Sequence, residues 1–260
     1  MARQISKALI GVAVIFAGMA GGPAGAQDDT KQTGPLGLII QYRCAPAKRA
    51  TFRQSLAKSL ATFDKLRSDG SITEYHLLFS RYVDTNSWDA MALVNFASYD
   101  GVRRWKEIEA VMPSGLNPEA LALTTGIETY PLDMVRTAGA KDTLKDPVYF
   151  VIPYTFTVPA AAYQKYADDY VIPQFKGWIQ EGILSGFQMY MQRYTAGRPW
   201  DTMIFLRYKD DLSFGRREQI VDKVRAELAK NPVWKAISDN KQSVRVEKEA
   251  IIADDLTAGR

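Results

Sequence analysis

One side chain in this sequence changes charge near neutral pH: His76 is the only histidine among 260 residues. Glu74 stands two positions before it, and in an extended segment residues i and i+2 point to the same side. A carboxylate beside an imidazole sets its tautomer and lets it act as a base, so His76 and Glu74 form the candidate catalytic pair. The plainer reading is a strand histidine satisfied by a neighbour or by water. Ser80 and Tyr82 share the even-numbered face with the pair. A second segment repeats the pattern with Gln188, Tyr190, Gln192 and Tyr194, amid Leu78, Val94, Ile204 and Leu206. Polar groups set into an apolar sheet surface suit a small-molecule site, where a few donors and acceptors fix orientation and apolar walls provide burial.

The second segment is a copy of the first. Residues 81–91 and 193–203 share Arg-Tyr, five residues, then Trp-Asp, one residue and Met, at an offset of 112. The same offset matches Gly70 with Gly182, Leu60 with Ile172, Phe63 with Phe175 and Leu66 with Trp178, which is the signature of a tandem duplication. It aligns His76 with Gln188, which cannot titrate, so the halves would have diverged into a reactive side and a binding side. Placing Arg81 opposite Asp89 and Arg193 opposite Asp201 predicts cross-strand ion pairs, with Tyr82 stacked on Trp88 and Tyr194 on Trp200 across the other face. A skeleton kept in both halves reads as structural for Arg81, Trp88, Asp89, Arg193, Trp200 and Asp201.

The elements that must carry these residues can be read in order. Leu36–Tyr42 and Val148–Tyr154 are short, branched apolar runs, each a first strand. Phe52, Leu56, Leu60 and Phe63 form the stripe of an amphipathic helix behind Pro46. Its counterpart opens at Pro159, carries Tyr163, Tyr166, Tyr170, Phe175 and Trp178, and should kink or split at Pro173. Gly70 and Gly182 close these helices, and two strands follow joined by the repeated hairpin. A second helix starts near Ser98 and near Asp211; in the second half its face is Ile220, Val221, Val224 and Leu228, and Asn231-Pro232 breaks it. A last strand, about 127–135 and 244–252, completes β-α-β-β-α-β twice. The acidic doublets Asp168-Asp169, Asp210-Asp211 and Asp254-Asp255 read as solvated turns and caps.

Two tandem ferredoxin-like units of this order, with the turn Asn231-Pro232-Val233-Trp234 after the second helix, resemble the dimeric α+β barrel superfamily that includes the antibiotic-biosynthesis monooxygenases and EthD-like proteins. The resemblance implies an α+β fold in which two sheets, one per repeat, pack face to face as a barrel with the helices outside. It also implies a range of functions, from cofactor-free oxygenases and isomerases to haem enzymes and proteins without activity. No catalytic residue of the superfamily transfers to a position here.

Composition narrows the classes further. Arg3 and Lys7, the apolar run 8–19 and Ala24-Gly25-Ala26 read as a signal peptide cleaved after Ala26, which places the chain in the periplasm or outside the cell, with no membrane segment after cleavage. Residues 27–35 read as a mobile leader, 36–140 as the first repeat and 141–260 as the second. The signal holds two of 33 basic side chains and none of 29 acidic ones, so the rest carries only +2 and offers no nucleic-acid surface. One cysteine, Cys44, excludes an intrachain disulfide. One histidine and one cysteine disfavour a metal site, and a mid-strand histidine beside a glutamate is a poor haem ligand, so no cofactor is expected and haem is the one to test. The expected partner is a small apolar or aromatic molecule, bound by a monomer or homodimer, with turnover or as a plain ligand-binding or scaffolding protein.

Overall fold

In the computed structural model, which describes residues 36–139 and 144–259, the chain runs twice through the expected order. The first pass is β1 (Leu36–Cys44), α1 (Arg49–Ser68), β2 (Glu74–Ser80), β3 (Ala90–Phe96), α2 (Tyr99–Val111), the short α3 (Pro118–Leu123) and β4 (Thr124–Gly139). The second is β5 (Val148–Phe156), α4 (Ala160–Tyr166), α5 (Ile172–Gln180), β6 (Leu184–Gln192), β7 (Thr202–Tyr208), α6 (Asp211–Gly215), α7 (Arg217–Leu228), α8 (Pro232–Asp239), β8 (Arg245–Glu247) and β9 (Ile251–Asp255). The bounds of β1 and β5, and of β3 and β7, fall 112 residues apart. The segments read as signal (1–26) and leader (27–35), and the junction between the halves at 140/141, lie outside the described residues.

All strand pairings are antiparallel, in the order β4-β1-β3-β2-β9-β5-β7-β6, and β6 pairs with β4 to close the ring. Each half supplies four neighbouring strands. The seams join the second strand of one half to the last strand of the other: Leu78–Ser80 with Ala253–Asp255, and Leu132–Gly139 with Gly186–Gln192. This is an α+β barrel made by one chain. Alternation along the strands divides the apolar residues into an inner set, including Ile39, Met91, Leu93, Tyr130, Val151, Met203 and Phe205, and two outer sets under the helices. Phe52, Leu56, Leu60 and Phe63 of α1 are wholly buried against the first outer face. No helix among the described residues is long and apolar enough to cross a membrane.

The hairpins differ from expectation by one residue. Phe79 pairs with Ala90 and His76 with Leu93, and in the second half Tyr190 pairs with Met203. An even residue of β2 or β6 therefore shares its face with odd residues of β3 or β7, which moves Val94, Ile204 and Leu206 to the outer layer. The expected ion pairs and stacks are absent because each charged residue has a better partner. Asp89 accepts the Cys44 N–H (2.9 Å) and Arg49 Nε (2.8 Å), and Asp201 accepts the Phe156 N–H (3.0 Å). Arg81 reaches Asp254 (2.8 Å) and Asp211, and Arg193 reaches Asp133 (2.6 Å) and Tyr99, so each arginine clasps the last strand of the opposite half. Trp88 and Trp200 turn into the barrel, where Trp200 packs on Tyr130 at 4.8 Å, while Tyr82 and Tyr194 are about 70% exposed.

One further departure and two expected breaks have local causes. The last strand is broken between β8 and β9, because Pro153 of β5 has no N–H to offer the edge on which its carbonyl accepts Lys248 N–H. The helix that holds Pro173 is split as expected: the chain widens into a π-helical turn over Ala167–Val171 and resumes as α5. The expected break at Asn231-Pro232 is also present: α7 ends at Leu228, and Asn231 starts α8, its side chain accepting the N–H groups of Val233 and Trp234, with Pro232 at the first helical position.

Candidate functional site

β2 begins with Glu74 and carries His76 on its inner side. The antiparallel order brings the start of β2, β5 and β6 and the end of β3 and β9 to one end of the barrel. His76 Nδ1 lies 2.9 Å from Asp255 Oδ2, and Nε2 lies 3.4 Å from Glu74 Oε1. The Tyr149 hydroxyl is 3.3 Å from the same Nδ1. Glu74 Oε2 accepts from Asn95 (3.1 Å) and Gln188 (3.3 Å), and Asn95 also bonds the Tyr190 hydroxyl (3.0 Å). Gly37 of β1 makes room for this contact, since a Cβ there would sit 3.1 Å from Asn95 Oδ1 and 3.3 Å from the Tyr190 ring.

The electrostatics follow from burial and pairing. Burial alone would lower the His76 pKa, but hydrogen bonds and charge from Asp255 and Glu74 outweigh it and raise it to about 9. The His76 hydrogen bond, followed by those of Asn95 and Gln188, takes Glu74 down to about 2 against the effect of burial. Burial opposes the charge on Asp255 too, yet His76 and Thr257 hold its carboxyl below the ordinary range. Burial pushes the Tyr149 and Tyr190 hydroxyls far up, so both stay neutral, and Tyr190 donates to Asn95 Oδ1 (3.1 Å). At neutral pH the cluster is an imidazolium between two carboxylates, one with its side chain 4% exposed and the other 47%. It can hold a proton, release one and present Glu74 to solvent. At neutral pH the imidazole therefore holds its proton and has no free lone pair.

The sequence-predicted residues separate into three groups. Glu74, His76, Gln188 and Tyr190 come together. Ser80 and Gln192 face inward at the opposite end, where they bond the carbonyls of Tyr82 (2.7 Å) and Trp200 (2.6 Å) and hold the hairpin loops. Tyr82 and Tyr194 lie on the exposed loops. Sequence reasoning missed Tyr149, Asn95 and Asp255. Asp254 and Asp255 are not a solvated turn: one pairs with Arg81 and the other is buried against His76.

Haem iron needs an axial ligand with a free lone pair. Both nitrogens of His76 are engaged and its proton is held to about 9, so it does not fit an axial ligand. Burial, then the charge of Asp89, pushes the Cys44 thiol up to about 12, which keeps it from being a thiolate. Among the described residues no three histidine, cysteine or acidic side chains gather as a metal site.

No protein-family model matches the sequence, and no curated protein matches it. Solved structures do. A protein from Lactobacillus acidophilus NCFM, provisionally assigned as a monooxygenase, superposes with a TM-score of 0.52 at 13% identity, covering 85% of this chain and 93% of that one. An anthrone oxidase-like protein gives 0.52 at 11% identity, covering 86% and 92%. A heme-binding protein from Thermus thermophilus gives 0.49 at 11% identity, covering 85% and 91%. At these identities the first two likenesses establish the α+β barrel fold alone.

Proposed function

We propose that the chain binds a small, largely apolar or aromatic molecule at the Glu74 end of its barrel and acts on it by proton transfer, as a cofactor-free oxygenase or isomerase would. The observation that carries this reading is the imidazolium of His76, fixed between Asp255 and the half-exposed Glu74 with the Tyr149 ring 5.5 Å away. Tyr149, Tyr190 and Phe205 supply apolar walls, Gln188 and Asn95 orient polar atoms, and His76 supplies the proton with Glu74 as its outer partner. The monooxygenase and oxidase assignments of the similar folds are in keeping with this class of chemistry.

A second reading is ligand binding without turnover. It is favoured by the mutual satisfaction of the polar groups, which bond each other, and by inner aromatic residues that are all 5% exposed or less. We further read the chain as an exported, tandem-duplicated protein, cleaved after Ala26, with 27–35 as leader and 36–140 and 141–260 as its halves. The 112-residue spacing of the matching strands supports the duplication.

Small molecules released by denaturing the purified protein, identified by mass spectrometry, would name the ligand, and turnover of that compound tests the rest. Glu74→Gln and His76→Gln should each lower turnover by about 10²-fold or more, with Gln188 and Tyr190 retaining part of the binding. Undiminished turnover in both variants would reject the proton-transfer reading, and tight binding without any turnover in the parent protein would establish the second one.

A further inference from the structure

The hairpin kept in both halves has an internal task for every shared residue except one. Arg81 and Arg193 clasp the last strand of the opposite half, and Asp89 and Asp201 accept the N–H groups of Cys44 and Phe156. Trp88, Trp200, Met91 and Met203 fill the barrel. The shared tyrosine does none of this. Tyr82 is 69% exposed and Tyr194 70%, and among the described residues no hydrogen bond or ring contact engages either side chain. Most matched positions have drifted, as His76 and Gln188 have, yet a large ring stands in water at both tips. Tyrosine is a residue that protein interfaces favour, so a ring kept twice on the outside points to a partner.

The charges of the two tips say which partner. Arg81 N–H bonds the Ile252 carbonyl and Arg193 N–H the Pro131 carbonyl, so Glu249 and Glu128 occupy equivalent places, each three residues before the contact. Glu128 is paired with Arg43 at 2.9 Å. Glu249 has no such cation, because the residue 112 positions after Arg43 is Thr155. It lies instead against Asp84 of the first tip, whose hydrogen bond raises its carboxyl above the ordinary value. Among the described residues no cation stands within ion-pair distance of either carboxylate, and the exposed neighbours Glu247 and Lys248 cancel. The second tip is opposite in sign: Arg198 is exposed, its guanidinium lies over the Tyr130 ring at 5.1 Å, and no carboxylate among the described residues is within ion-pair distance.

Both tips stand at one end of the barrel, since β2 and β6 both run from the Glu74 end, and an approximate two-fold axis along the barrel relates them. A surface with one acidic and one basic tip, arranged in this way, is complementary to itself. We propose that two copies of this chain associate through their hairpin ends about a two-fold axis perpendicular to the barrel, the first tip of each copy lying on the second tip of the other. Tyr82 packs on Tyr194 of the other copy, and Arg198 reaches across to its Asp84 and Glu249. The Glu74 ends then point away from each other and stay open. Contact between two loops per copy is a small interface, which makes the dimer reversible.

The test is sedimentation velocity of the full-length protein from about 1 μM to about 1 mM. A monomer–dimer equilibrium should appear and should weaken as salt is raised, because the charge contacts are exposed. Tyr82→Ser and Tyr194→Ser, at positions that face water in the monomer, should each raise the dimer dissociation constant about tenfold or more while leaving the melting temperature of the dilute protein in place. Arg198→Glu should weaken the dimer as well, and adding Glu249→Arg to the same chain should restore part of the loss. A protein monomeric over the whole range, a dimer indifferent to both tyrosine variants, or a charge swap that recovers nothing would each overturn the proposal. So would a monomer that binds phospholipid vesicles through the same tyrosines, since the tips would then serve a lipid surface.

Discussion

His76 gives the molecule a pH signature whose direction is fixed by its partners. Its pKa is raised on folding from 6.5 to about 9, so its contribution is fully present below about 6.5 and is lost as pH rises through 9. The size is on the order of 3 kcal/mol. Chemical denaturation between pH 6 and 10 should therefore show stability falling over that window. In His76→Gln the fall should be absent, and at pH 6 the variant should be less stable by about 3–5 kcal/mol, because Asp255 is left buried without its counter-charge, with only the Thr257 hydrogen bonds remaining. A flat profile in the parent protein would contradict the imidazolium. Glu74 and His76 were legible in the sequence because two residues on one strand must share a face. Asp255 was not, because it lies 179 residues away and looks from its neighbours like half of an acidic turn. Only the seam between β2 and β9 turns it toward the imidazole.

Helix-scale packing rests on close approaches that leave no visible mark in the sequence. At Gly177 of α5 an added Cβ would come within 2.5 Å of Val224 Cγ1 on α7. Alanine in place of a helical glycine ordinarily gains about 1 kcal/mol, while overpacking against a stiff, buried valine costs about 1–3 kcal/mol. Gly177→Ala should therefore lower the melting temperature, and Val224→Ala made in the Gly177→Ala background should recover part of the loss, giving a non-zero coupling in a double-mutant cycle. The helical stripes, the glycine ends and the first strands were legible because periodicity and punctuation are local. The hairpin register was not, because Arg81 and Asp89 look like each other's partners while Asp254, Asp133 and Arg49 stand far off in sequence. The break at Pro153 was equally hidden: its missing N–H matters only once the edge that needs it is known.

For the whole molecule, the ring exists because each half leaves two strand edges that the other half covers. A fragment of residues 36–139 alone would expose the edges of β2 and β4 and the inner faces of Ile39, Met91, Leu93 and Tyr130. It should associate as a homodimer, β2 of one copy against β4 of the other, and sedimentation velocity should show that species. A stable folded monomer would count against the seams as the source of cohesion. The β-α-β-β-α-β order and the sheet-to-sheet barrel were legible from the repeat, whereas the direction of the clasping arginines required the closed ring. The seam between β2 and β9 also sets a timetable. While the chain is being made, β2 is complete long before Ala253, Asp254 and Asp255 exist, so its rim of backbone groups must wait without its natural neighbour. That rim follows Leu77-Leu78-Phe79, a run apt to recruit strands from other nascent chains. The charge at Glu74 then serves as a gatekeeper, which predicts that Glu74→Val aggregates during synthesis even where the finished barrel would accept it.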